Sequence, residues 1–205
     1  MNPIKLFAGA SLLALIAGAA AAAPPVGIFP AQTPKHAKVL YNQNDNYAGS
    51  GVNSQNYEAS FSQYDDQGAD DFVVPAHATW TITEVDVSGQ YFNGSGPASS
   101  EDVVFYADSN GTPGNAVATI SNVKGTDTNG AFSITLPGKG TKLKSGRYWV
   151  SVIANLNFTD GGEWNWDTNS VLHGDPAVWR AQGGQWAPLN GGGELMFALR
   201  GTAKH

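Results

Sequence analysis

The chain contains no cysteine, so neither a disulfide framework nor thiol chemistry is open to it. Charge is sparse too. Asp, Glu, Lys and Arg make up 14% of the residues, with 11 basic side chains against 17 acidic ones. No basic run occurs, which argues against nucleic acid or an anionic membrane as partner. Glycine is abundant, at 25 residues, and turns are rich in Asn, a composition that argues against a helical protein. Signature loops are missing as well. There is no Walker loop and no dinucleotide fingerprint, and "GSGPASS" at 94–100 is a hairpin loop rather than a Gly-x-Ser-x-Gly elbow. His36, His77, His173 and His205 form no His-x-His or His-Glu-x-x-His pattern, which disfavours zinc.

The one long apolar run is N-terminal. "LFAGASLLALIAGAA" follows Lys5 and leads into small residues at Ala20–Ala23, the pattern of a secretory signal and too short for a comfortable membrane span. Cleavage is expected after Ala22, so residues 1–22 are a signal peptide. The mature chain is expected in the periplasm or the medium, without a membrane anchor. It would keep ten basic and seventeen acidic residues, a net charge of −7. Residues 23–38, with four prolines and no periodicity, read as an extended linker. One domain is expected over 39–202, long enough to be held by its core alone, with a frayed tail at 203–205.

Within that domain the apolar period is two. "AFSITL" sets Phe132, Ile134 and Leu136 against Ser133 and Thr135. "RYWVSVIANL" puts Tyr148, Val150, Val152, Ala154 and Leu156 on one face, and its Trp149 and Ile153 require partial cover on the other. "EDVVFYAD" is apolar on both faces, as a central strand is. In "TWTITEVDVSGQYF", Trp80 and Ile82 are out of phase with Val85, Val87 and Tyr91. A β-bulge near Thr83–Glu84 would return both sets to one side. Turn signals such as "SNGTPG", "TNG" and "PGKG" separate the runs. The expected fold is all-β: an antiparallel β-sandwich of jelly-roll type.

The order "GADDFVVPAHATWTITEVDVSGQYF", "VVFYADSNGTPGNAV" and "KLKSGRYWVSVIAN" resembles a recurrent module of bacterial secreted proteins. In that module an Ala-Asp-Asp-Phe strand precedes Trp-x-Ile, Gly-x-Tyr, Phe-Tyr-x-Asp and Tyr-Trp-Val strands. The resemblance spans residues 39–202 and implies a carbohydrate-binding-like jelly roll. It implies no particular activity.

Two stretches carry candidate chemistry. "YDDQGADDF" places four aspartates in nine positions. Asp70 and Asp71, adjacent in a strand, are expected on opposite faces, which weakens an acid/base pair around a scissile bond. One reading gives the pair a structural calcium, with Asp65, Asp66, Glu58 or Glu194 adding charge. The other makes Asp65 and Asp66 solvated turn residues and has Asp70 or Asp71 accept backbone N–H groups. The second stretch, residues 161–188, holds Trp164, Trp166, Trp179 and Trp186 beside Glu163 and Arg180. Exposed indole faces next to polar groups would stack on sugars; otherwise these residues cover the sandwich or pair across strands, as expected for at least two of them. The expected function is a non-catalytic secreted module that binds a polysaccharide or cell-surface component. A structural matrix protein without small ligand is the alternative, and a glycan-active enzyme comes after both.

Overall fold

The computed structural model describes residues 37–189 and 192–205. The expected signal peptide, and the expected linker up to residue 36, lie outside them. The elements run β1 (Lys38–Asn42), β2 (Tyr47–Asn53), β3 (Gln55–Asn56), a 3-10 turn (Ser62–Tyr64), β4 (Asp66–Val87), β5 (Gly89–Phe92), β6 (Ser100–Asp108), β7 (Pro113–Val123) and β8 (Thr126–Thr128). They continue with β9 (Ala131–Thr135), β10 (Thr141–Asn155), a single helical turn α1 (Phe158–Gly161), β11 (Glu163–Asn169), β12 (Val178–Ala181), β13 (Ala187–Pro188), β14 (Glu194–Leu195) and β15 (Phe197–Lys204). Ala203 and Lys204, expected to fray, instead extend β15 opposite Trp80 and Thr79.

The strands form two sheets of a β-sandwich. The larger is ordered β1-β15-β4-β3-β10-β6-β7, with β4 also paired to β10 and with β8, β9, β12 and β13 attached alongside; the smaller is β14-β11-β2, with β5 beside β11. Pairing is antiparallel except between β10 and the two-residue β3, which run parallel. The "TNG" signal makes the tightest hairpin: Asn129 and Gly130, both at positive φ, join β8 to β9 with Thr128 opposite Ala131. Only Asn and Gly enter that region at low cost, and the resulting turn matches strand twist.

The phase slip in β4 is real and lies where the sequence puts it. Arg200 pairs with Glu84 and Gly201 with Ile82, leaving Thr83 unmatched. Trp80, Ile82, Val85 and Val87 consequently all enter one core. That core joins the sheets: Trp164 stacks on Phe132 at 4.8 Å, and Trp166 meets Phe197 edge-on at 6.3 Å. Strand β10 faces two ways. Val150, Val152 and Ala154 point into the main core, while Trp149 and Ile153 join Ala69, Val104, Tyr106 and Val178 in a smaller cluster on the other side.

Candidate functional site

The acidic stretch divides on folding. Asp65 Oδ1 accepts the Tyr57 backbone N–H at 2.7 Å, the work of a turn residue. Asp66 starts β4 and remains partly exposed. Asp70 and Asp71 are buried, and with Glu194 of β14 they place one carboxylate oxygen each within 4.8 Å of the others. This corrects the expected separation across the strand. Asp70 Oδ1 turns along the backbone to accept the Asp71 N–H at 2.8 Å, so side chains of opposite phase converge.

Donors already fill the space between these carboxylates. Gln43 Nε2 donates to Asp70 Oδ2 at 2.6 Å, to Glu194 Oε2 at 3.2 Å and to the Leu195 carbonyl at 2.7 Å. The Leu195 N–H donates to Asp70 Oδ2 at 2.6 Å, and the Asp175 N–H to Asp71 Oδ1 at 2.8 Å. Arg147 adds an ion pair to Asp71 at 3.5 Å and a second to Asp175. Burial and the Glu194 charge drive the Asp70 pKa well up. Burial takes Asp71 to about 6, opposed chiefly by Arg147. The three carboxylates are the donor set a hard cation would use, but the Gln43 amide nitrogen already bridges two of them, Asp70 and Glu194.

The tryptophans separate as sharply. Trp164 and Trp166 share the inner face of β11 and are 0% exposed. Their indole N–H groups donate inside the fold, to the Gly130 and Met196 carbonyls at 2.8 Å each. Of the two readings open for them, a ligand-facing pair or packing in the sandwich, these two take the packing expected for at least two of the tryptophans: the larger sheet covers them. Glu163, at the start of β11, is partly exposed, and its Oε2 accepts from Asn93 Nδ2 at 3.1 Å.

Trp179 and Arg180 are neighbours on β12 and so face opposite ways. Arg180 is committed: its Nε and Nη2 donate to Gln67 Oε1 at 2.8 and 2.6 Å, and its guanidinium lies 4.2 Å from the Trp186 ring centroid. Trp186 in turn meets Tyr106 edge-on at 5.8 Å. Arg180 and Trp186 thus form a packed cluster over the smaller core, apart from Trp179.

Trp179 opens into a groove of about 720 Å³, whose other polar walls are Ser50 and Asn53 of β2, Thr168 and Asn169 of β11, Ser170 just after it, and Asp66. Most of those groups are taken. Ser50 and Thr168 bond each other at 2.7 Å, and Asn169 Nδ2 donates to the Gln43 carbonyl and to Asp45. Asn53 Nδ2 donates to the Tyr57 hydroxyl at 2.9 Å, and its unpartnered Oδ1 is itself buried. Asp66 is not taken: among the described residues its side chain takes neither a hydrogen bond nor an ion pair. Burial, then the charges of Asp65 and Glu163, raise Asp66 to about 6.

A second hollow, of about 340 Å³, shares the Asn53 and Asp66 walls and is otherwise lined mainly by Tyr57, Phe61, Tyr64, Phe158 and Glu163. The sequence singled out Glu163 and Asp66 but not the aromatic group of Tyr57, Phe61, Tyr64 and Phe158. Its only local signal is the spacing of Tyr57, Phe61 and Tyr64, four and three residues apart; Phe158 comes from a distant part of the chain. No protein-family model matches the chain, and no curated protein does either.

Proposed function

We propose that this protein is a secreted, non-catalytic β-sandwich module that binds a polysaccharide or another cell-surface component in the groove beside Trp179. One observation carries the reading: a partly exposed indole stands in a groove with an uncommitted carboxylate, Asp66. Sugars present CH faces that stack on an aromatic ring and hydroxyls that satisfy a carboxylate.

Retention on a panel of immobilised cell-wall polysaccharides tests the proposal. The intact protein is expected to be retarded by at least one polymer, and Trp179→Ala to weaken that retention roughly tenfold. Trp186→Ala, on the other face, is expected to leave it unchanged. Failure of every polymer to retain the protein removes the reading in favour of a matrix role. Release of reducing ends during incubation, abolished in Asp66→Asn, would instead favour a glycan-active enzyme.

A further inference from the structure

The smaller hollow has a chemistry of its own. Phe61 and Phe158 stand 5.4 Å apart at 47°, Phe61 and Tyr64 6.3 Å apart at 33°, and Tyr57 and Phe158 6.5 Å apart at 50°. The rings are inclined walls rather than one flat stack. Tyr64 remains 57% exposed, so the group is not closed into a core. Its frame is nevertheless fixed. The Glu58 carboxylate accepts the Phe158 N–H at 2.7 Å, the Thr159 N–H at 3.2 Å and the Thr159 hydroxyl at 3.0 Å, tying α1 to the segment that carries Tyr57 and Phe61. Asn53 Nδ2 donates to the Tyr57 hydroxyl at 2.9 Å.

The lining of this hollow favours positive charge. Two carboxylates line it, Asp66 and Glu163, and among the described residues no Lys or Arg does. The same negative field acts on the Tyr57 hydroxyl, pushed up to about 12 by burial and then by Glu163. Aromatic faces attract a cation through their quadrupole, most strongly one that is weakly hydrated. An anion would meet repulsion from both acids. A small metal ion would find too few oxygens and would lose hydration against the rings. A neutral apolar group would cover Asp66 without balancing it.

We propose that this hollow is a binding site for an organic ammonium group of the trimethylammonium class, held by Tyr57, Phe61, Tyr64 and Phe158 and neutralised by Asp66 and Glu163. This hollow shares Asp66 and Asn53 with the groove of the polysaccharide reading but not Trp179, which separates the two in the test.

The test is titration of the isotope-labelled protein with choline chloride, read by NMR at the side-chain amides of Asn53 and Asn165, which line the hollow. Saturable shifts are expected with choline and none with its uncharged isostere, in which carbon replaces the ammonium nitrogen. Tyr64→Ala, at an exposed position, is expected to weaken choline about 2- to 5-fold. Asp66→Asn should weaken it further without loss of fold, and Trp179→Ala should leave it unchanged. Co-sedimentation with phosphatidylcholine vesicles would assign the group to a displayed headgroup, and choline binding without it to a free cation. Absence of shifts with choline, or equal shifts with the neutral isostere, would overturn the proposal.

Discussion

The side-chain amide of Gln43 donates to Asp70 Oδ2 at 2.6 Å, with both residues fully buried. The Tyr41 hydroxyl donates to Gln43 Oε1 at 2.5 Å, at the other end of that amide. A neutral donor thereby separates Asp70 from Glu194, where two bare carboxylates would repel each other in a medium of low polarity. The Asp-Asp pair is a structural joint between β4 of the larger sheet and β14 of the smaller one.

Gln43→Ala removes that donor and leaves buried carboxylate oxygens short of a partner. A loss of about 3 kcal/mol is expected, measured as a lower midpoint in urea unfolding. Gln43→Glu, of nearly the same shape, adds another acid and is expected to be worse at neutral pH than in acid. A change smaller than that of an ordinary surface substitution would show that the joint carries no stability.

Calcium is expected to leave the protein unchanged. The cluster offers three carboxylates, but an ion there needs six to eight oxygens, and the Gln43 N–H donors occupy the approach. Titration calorimetry of the chelator-treated protein with calcium should give no specific heat, and melting curves with and without calcium should overlay. A raised melting temperature would instead show that calcium binds at the cluster, with the Gln43 oxygen turned inward.

Stability should fall as pH rises from about 4.5 to about 7. Glu84 is buried, with Oε2 unpartnered. Burial and the adjacent Asp86 charge raise its pKa from 4.5, and Arg200 opposes them only in part. Burial likewise takes Glu101 to about 6. A pKa raised in the folded state means that ionisation opposes folding. The contribution is complete below the unfolded value of 4.5 and is lost as pH climbs through the folded one. Asp45 and Glu58 shift the other way, but solvent screens both. Glu84→Gln should match the wild type in acid and melt higher above neutral pH. Parallel pH profiles for the two proteins would refute this.

The tryptophans should divide into two classes by stability. Trp164→Ala empties a site packed between the sheets and is expected to cost about 4 kcal/mol. Gly89→Ala should destabilise through the same contact, since a Cβ there would stand 2.5 Å from Trp164 Nε1. Trp179→Ala should stay within about 1 kcal/mol of wild type. Chemical denaturation of the three variants checks all of this, and equal losses at Trp164 and Trp179 would contradict the division.

The sequence by itself determined the sandwich, because its cause is local. Alternation in "AFSITL" and "RYWVSVIANL" assigns each side chain to a face whatever the rest of the chain does, and the phase slip in "TWTITEVDV" located the unmatched Thr83. Even the two-sided burial of β10 was legible, since Trp149 and Ile153 interrupt a face that would otherwise be polar. Period two also put Trp164 and Trp166 on one side of β11. It could not say that this side was the one pressed against Phe132 and Phe197, for that depends on where the other sheet lies. The same limit hid the hollow around Asp66, whose walls come from residues as far apart as Asn53 and Glu163. Alternation is a property of one strand, whereas exposure and convergence belong to strands brought together. So the identity of the faces was written in the chain, and which of them meet water, each other or a ligand was decided only when the two sheets closed.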